Sequence, residues 1–331
     1  MLGHLRAGAR AAPKSSTLTT ASSFSRTKRR KMTSGTSAGV EGGIGDPAKY
    51  CSDFVRQRDY EAFLTSQFYP RELRDHYLAL RAFYVELATV QEAVSKPMIG
   101  KMRMQFWRDA VKAMSDGRPP RHPIALALHD ASDKTNLSAY HLKRIIDARD
   151  AELDTPTHLT LDSLTAHAEA TSSTFLYLLL SLLSLSSSSA LSHAASHLGV
   201  SQGIFTLLRA MPYHTAQGRM VIPAEMTARH GVSQEEVFRK GGNAKGIEDA
   251  VFEFATVAND HLTTALEMFK EEGMGGKVPV RARPVFLSGI PTRIYLERLQ
   301  EVNFDAFHPS LRLRDWKVPW KVWSSYYKGT F

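Results

Sequence analysis

Apolar side chains recur at three- and four-residue spacing through most of this sequence, a pattern typical of amphipathic helices. The clearest runs are residues 71–94, which follow Pro70, and residues 247–269. Only residues 219–226, RMVIPAEM, resemble an extended hairpin. Since the sequence has no run of alternating strands, no Gly-rich phosphate loop and no fixed repeat, it predicts an all-α fold with one large helical domain.

Helix boundaries are indicated by a few individual residues. Gly117 and the prolines that follow it are expected to end one helix, and Asn136 is a candidate cap for another. The most apolar stretch, residues 175–185, is shorter than the 18 or so residues that suggest a membrane span. It therefore predicts a buried helix.

Positive charge is concentrated at the start of the chain. The formal net charge is +9, but residues 1–40 hold eight basic residues and no acidic one. Without those eight, 34 basic residues face 33 acidic ones, so the body lacks the charge of a nucleic-acid-binding protein. An Arg- and Ser-rich, acid-free start is typical of a mitochondrial transit peptide, the alternative being a basic tail with a nuclear signal.

These features divide the chain into three regions. Residues 1–46 are interpreted as a transit peptide and leader, residues 47–308 as the helical domain, and residues 309–331 as an aromatic and basic segment. The single cysteine, Cys51, excludes an internal disulfide and has no evident catalytic partner.

Two pairs of polar residues could form sites but have simpler explanations. His193 and His197 lie four apart and could both reach a metal, yet no third ligand is evident, so two half-buried helix histidines are favoured. Asp147 and Asp150 are interpreted as a solvated helix face. We predict no catalytic residue, metal or cofactor.

The C-terminal segment combines aromatic and basic residues. Trp320, Trp323 and Tyr327 share one helical stripe among lysines. This pattern fits a helix at a membrane surface, and equally a terminal helix that packs its aromatic side chains on the domain.

Two sequence stretches have the order of a known pair of motifs. The first, ALRAFYVELATVQE, spans residues 79–92, and the second, GIFTLLRAMPYHTAQGRMVIP, spans residues 203–223. Together they resemble the squalene/phytoene synthase family, whose members are all-α isoprenoid synthases. The resemblance covers most of residues 54–272.

The resemblance also implies what has changed. In the first motif Ala88 and Thr89 stand where the family has aspartates, and only Glu92 keeps a carboxylate. In the second motif Ala210 and His214 replace aspartates, whereas Arg209 and Arg219 match the family. Thr206 replaces an amide residue. Because Mg²⁺ requires oxygen ligands, the resemblance implies a vestigial cavity without metal-dependent chemistry.

Residues 85–111 and 304–311 resemble a branch of this family that looks non-enzymatic. Its members are matrix proteins associated with the inner mitochondrial membrane and needed to build respiratory complex I. The resemblance implies a pseudoenzyme that binds complex I subunits or other assembly factors, with a lipid or isoprenoid as a candidate ligand. An active prenyl-diphosphate transferase and a lipid-binding module are the alternatives.

Overall fold

The structure, a computed structural model, describes residues 45–94, 96–271 and 275–331. All but the last two residues of the predicted leader lie outside this part. The described residues form fifteen α-helices and no strand: α1 Pro47–Arg58, α2 Tyr60–Ser66, α3 Arg71–Ala93, α4 Pro97–Ser115, α5 Pro123–Lys134, α6 Ala139–Asp154, α7 Leu161–Ala168, α8 Thr174–Leu182, α9 Ser189–Thr215, α10 Ala224–Arg229, α11 Gln234–Lys240, α12 Ile247–Glu271, α13 Arg283–Phe286, α14 Gly289–Glu301 and α15 Val318–Lys328. The predicted all-α class is confirmed.

Several boundaries follow from local chemistry. Pro70 directly precedes α3, and Gly117 follows α4 with a φ of 71°, a conformation that glycine adopts without steric cost. The expectation for Asn136 was wrong, because Ser138 is the residue that precedes α6. The expectation of a hairpin at residues 219–226 was also wrong, since residues 219–223 are a loop and residues 224–226 begin α10.

The longest helix, α9, packs along α12 and contacts a π-helical turn, Glu169–Ser173, which joins α7 to α8. Gly199 makes this contact close. A Cβ atom at Gly199 would lie 2.4 Å from the backbone of Ser173, so a larger residue does not fit there. Pro212 lies inside α9 near its C-terminal end.

Buried apolar side chains form two clusters. The larger joins α1–α6 to α8, the first part of α9 and the chain beyond residue 261, and the smaller lies between the second part of α9, α12 and α14. Val318, Val322 and Phe331 belong to the larger cluster. Phe331 is fully buried and contacts Phe269 and Phe286, so the C-terminal segment packs on the helical domain.

Candidate functional site

A cavity of about 780 Å³ lies where α2, α3, α6, α7, α9 and α14 meet. Its walls include apolar side chains such as Leu164, Phe205 and Ile294, and residues 311–316 with Val318 and Pro319 also line it. A volume of this size falls in the range of small-molecule sites.

All seven residues predicted for a vestigial cavity line this one space: Ala88, Glu92, Thr206, Arg209, Ala210, His214 and Arg219. Helical geometry explains why. Ala88 and Glu92 lie one turn apart on α3, and Thr206, Ala210 and His214 repeat every four residues on α9. Residues four apart share a helix face. The two stretches that resemble family motifs therefore face each other across the cavity.

Arg219 is held by uncharged partners. It donates one hydrogen bond to Oε1 of Gln91 and another to Nδ1 of His214. Burial, and then the charge of Arg219, lowers the pKa of His214 to about 4. His214 is therefore neutral at physiological pH, and the positive charge of Arg219 has no carboxylate in direct contact within the described part of the chain.

Arg209 is placed differently. Its Nη1 donates to Oε2 of Glu61 at 2.9 Å, and its guanidinium lies 4.7 Å from the ring centre of Phe205. Nearly half of the Arg209 side chain is exposed. This arginine lies at the rim of the cavity, where an ion pair contributes little to stability.

Sequence reasoning missed two ion pairs in the cavity wall. Arg81 donates to Oδ2 of Asp59 at 2.7 Å, and Arg149 donates to Oε2 of Glu152 at 2.8 Å. Burial opposes ionisation of both acids, but the neighbouring arginines hold their pKa values below the usual range. The position of Arg81 could have been predicted from the sequence, because it lies seven residues before Ala88 and therefore on the same face of α3.

His167 completes this part of the wall. Its Nε2 lies 3.7 Å from Oε2 of Glu152, and burial, followed by the charge of Arg149, lowers its pKa to about 4. Like His214, it is neutral near pH 7. The positive charge of the inner wall therefore comes from arginines and does not depend on pH in the physiological range.

Arginines outnumber carboxylates around the cavity. The described lining contains eight arginines: Arg58, Arg81, Arg149, Arg209, Arg219, Arg298, Arg312 and Arg314. It contains five carboxylates: Asp59, Glu61, Glu92, Glu152 and Asp315. With its histidines neutral, this lining has a positive formal charge. Such a cavity favours an anionic ligand.

The lining does not fit the Mg²⁺ that synthases of the resembled family use. Asp59, Glu61 and Glu152 are each paired with an arginine. In residues 45–94, 96–271 and 275–331, no group of three or more His, Cys, Asp or Glu side chains is placed to hold a metal ion. Ala88 and Ala210 offer no ligand atom, so no metal-dependent step follows from this geometry.

The predicted membrane contacts Trp320, Trp323 and Tyr327 are exposed on the outer face of α15. The opposite face of the helix buries Val318 and Val322. Within the part of the chain that the structure describes, no helix is both long and apolar enough to cross a membrane.

The other polar pairs lie outside the cavity. His193 is exposed rather than half-buried, and Nδ1 of the half-buried His197 lies 2.9 Å from Nδ1 of His261 on α12. Asp147 is exposed and Asp150 half-buried, and both accept hydrogen bonds from Arg108. The description of this pair as a solvated face was therefore incomplete.

The fold and the paired motifs define a class of protein. The sequence pattern of squalene/phytoene synthases matches residues 55–324, and the chain belongs to that family. The fold agrees. A crystal structure of a dehydrosqualene synthase in complex with ligand superimposes with a TM-score of 0.71, covering 85% of this chain and 96% of that one at 14% identity. A squalene synthase, HpnC from Alicyclobacillus acidocaldarius, gives 0.67 at 16% identity, with 78% and 95% covered.

Relatives with higher sequence identity to this chain are named as assembly factors and not as synthases. A protein of Rattus norvegicus named NADH dehydrogenase (ubiquinone) complex I, assembly factor 6, is 42% identical over 277 residues, which are 84% of this chain and 81% of the relative. A Homo sapiens protein of the same name is 39% identical over 282 residues, or 85% and 82%. A homologue from Dictyostelium discoideum is 27% identical over 246 residues, or 72% and 67%.

Proposed function

We propose that this protein is a mitochondrial assembly factor for NADH dehydrogenase (ubiquinone) complex I and that it acts by binding. The observation that carries the proposal is the similarity to relatives with that name, which reaches 42% identity over 84% of this chain. Similarity over most of both chains supports a shared role rather than one shared module.

Binding, rather than catalysis, is supported by the cavity. Ala88 and Ala210 provide no metal ligand, and three of the five lining carboxylates are paired with arginines. The rival function is that of a prenyl-diphosphate transferase. We expect no condensation of farnesyl or geranylgeranyl diphosphate by the purified protein with Mg²⁺. A product that disappears with EDTA and with Glu92→Ala would contradict the pseudoenzyme proposal.

The cavity suggests two kinds of occupant. Its apolar walls suit an isoprenoid or lipid chain, and equally an apolar segment of a complex I subunit or of another assembly factor. Arg219, without a carboxylate in direct contact among the described residues, suits an anionic group. The nearly neutral body gives no support for a nucleic-acid partner.

The proposed location is the matrix side of the inner mitochondrial membrane, with peripheral attachment. The composition of residues 1–40 supports import, and the exposed aromatic side chains of α15 support contact with the membrane surface.

The experiment for the assembly role is deletion of the protein. Assembled complex I on native gels and NADH-linked respiration should fall, while succinate-linked respiration, which bypasses complex I, should stay near normal. Normal complex I in the deletion strain would contradict the assignment.

A further inference from the structure

The residues between α14 and α15 form part of the cavity wall, and the exposure of Leu313 and Trp316 indicates that the cavity opens to the surface here. We call residues 311–317 the strap. Arg298 on α14 donates from Nη1 to the carbonyl oxygen of Leu313 at 3.0 Å, and the guanidinium of Arg314 lies 5.5 Å from the ring centre of Tyr60 on α2. The strap therefore contacts both α14 and α2.

The strap carries two large exposed apolar side chains. Leu313 is 68% exposed and Trp316 is 81% exposed, although both line the cavity. The exposed aromatic face continues along α15, where Trp320 stacks on Trp323 at 4.9 Å and Trp323 contacts Tyr327 at the same distance. This apolar face begins at the cavity opening and extends away from it along the surface.

The same segment is strongly basic. Residues 312–328 contain five basic residues, Arg312, Arg314, Lys317, Lys321 and Lys328, and a single acidic one, Asp315. Exposed tryptophan and tyrosine among basic residues match a bilayer with anionic headgroups, because the rings partition to headgroup level and each cation is attracted to the surface. A protein partner with an acidic apolar face is the competing occupant.

We infer that the strap and α15 dock together on an anionic bilayer and hold the opening of the cavity against the headgroup layer. In this orientation, an anionic lipid can reach the arginines of the cavity wall without crossing water. The inference rests on the proposed peripheral attachment to the membrane and adds the direction in which the cavity faces. It also assigns Leu313 and Trp316, which sequence reasoning did not single out, to the membrane contact.

Quenching of tryptophan fluorescence by brominated lipid tests whether the cavity opening faces the bilayer. The chain has four tryptophans, and Trp107 is buried in the core, so it is a built-in control that stays in every variant. Three full-length variants are compared: Trp320→Phe/Trp323→Phe keeps Trp316, Trp316→Phe/Trp320→Phe keeps Trp323, and the triple Phe variant keeps Trp107 alone. Each is mixed with phosphatidylcholine and cardiolipin vesicles that carry brominated phosphatidylcholine.

We expect quenching in the variants that keep Trp316 or Trp323 and none in the triple variant. Quenching of Trp323 without quenching of Trp316 would overturn the inference, because α15 would then dock while the cavity opening faces away from the bilayer. Peripheral attachment to the membrane would still be supported by this result. Vesicle binding without quenching of either would also overturn the inference. Absence of vesicle binding would remove the attachment as well, whereas the assembly role is decided separately by the deletion experiment.

A charge experiment tests whether the strap and α15 bind an anionic bilayer. Arg312→Gln/Arg314→Gln should weaken binding to cardiolipin vesicles about thirtyfold, since each basic residue near an anionic surface contributes about 1 kcal/mol. The matched control, Arg103→Gln/Lys112→Gln, removes the same charge from the exposed face of α4 and should bind like the unchanged protein. Equal weakening by both pairs would mean attraction by net charge alone and would overturn a docking role for the strap.

Discussion

The largely buried pair of Arg149 and Glu152 gives the sharpest test of how the cavity wall is stabilised. Their side chains are 15% and 19% exposed, and the ion pair measures 2.8 Å. Glu152→Gln keeps the shape of the side chain and removes its charge, which leaves the Arg149 cation without a countercharge. Arg149 retains a 3.5 Å hydrogen bond to Tyr84 Oη and a contact with the ring of the same tyrosine, 5.7 Å from its centre.

The expected cost follows from burial and distance. At 2.8 Å and an effective dielectric constant of about 20, the attraction is about 6 kcal/mol before the cost of desolvation. Removing one partner of a buried pair costs about 3–5 kcal/mol in total. Since both side chains keep some exposure, we expect the lower end, about 3 kcal/mol of unfolding free energy.

Urea unfolding of Glu152→Gln, Arg149→Met and the double variant measures this cost. The double variant should lose much less than the sum of the two single losses, because it leaves no unpaired charge. Glu61→Gln is the matched control, since it breaks an ion pair with Arg209 at the cavity rim and should cost at most about 1 kcal/mol. A loss below about 1 kcal/mol for Glu152→Gln, or additive losses, would refute the reasoning.

Three further results are expected from unfolding measurements. Gly199→Ala should cost about 3 kcal/mol, because its Cβ would collide with the backbone of Ser173, whereas Gly45→Ala, with open space around it, should cost little. Phe331→Ala should cost about 3–5 kcal/mol, because the ring is fully buried, and a loss near zero would show that the C-terminal residue is not part of the core. The unfolding free energy should fall as pH drops from about 6.5 to about 4, because the unfolded chain binds protons at His167 and His214 before the folded one does. His214→Gln should flatten this fall, and an unchanged pH profile would contradict a neutral, buried His214.

The helices could be predicted from the sequence because their apolar spacing is a local property. The long runs in residues 71–94 and 247–269 correspond to α3 and α12. The loop at residues 219–223 was misread for a related reason. Its buried Met220, Val221 and Ile222 resemble a strand in composition, but they pack in the smaller apolar cluster without a partner strand.

The cavity was predicted only in part. The motif resemblance indicated residues on α3 and α9, and helix periodicity brings them to one space. Arg149 and Glu152 come from α6, which neither motif includes, and nothing in the sequence shows that they face inward while Asp147 and Asp150 bind Arg108. Their placement depends on tertiary packing, as do the contacts of the strap with α14 and α2.

We propose that the protein supports complex I assembly by binding and not by carboxylate-dependent chemistry. Among the cavity-lining carboxylates that the structure describes, Glu92 and Asp315 are the two that form no ion pair. Neutral replacements of similar shape, Glu92→Gln and Asp315→Asn, remove both charges together.

The most direct measurement is the amount of assembled complex I on native gels when this double variant is expressed in cells that lack the protein. Complex I should return to the level given by the unchanged protein. A variant that is folded, present in mitochondria at normal abundance and still unable to restore complex I would contradict the proposal.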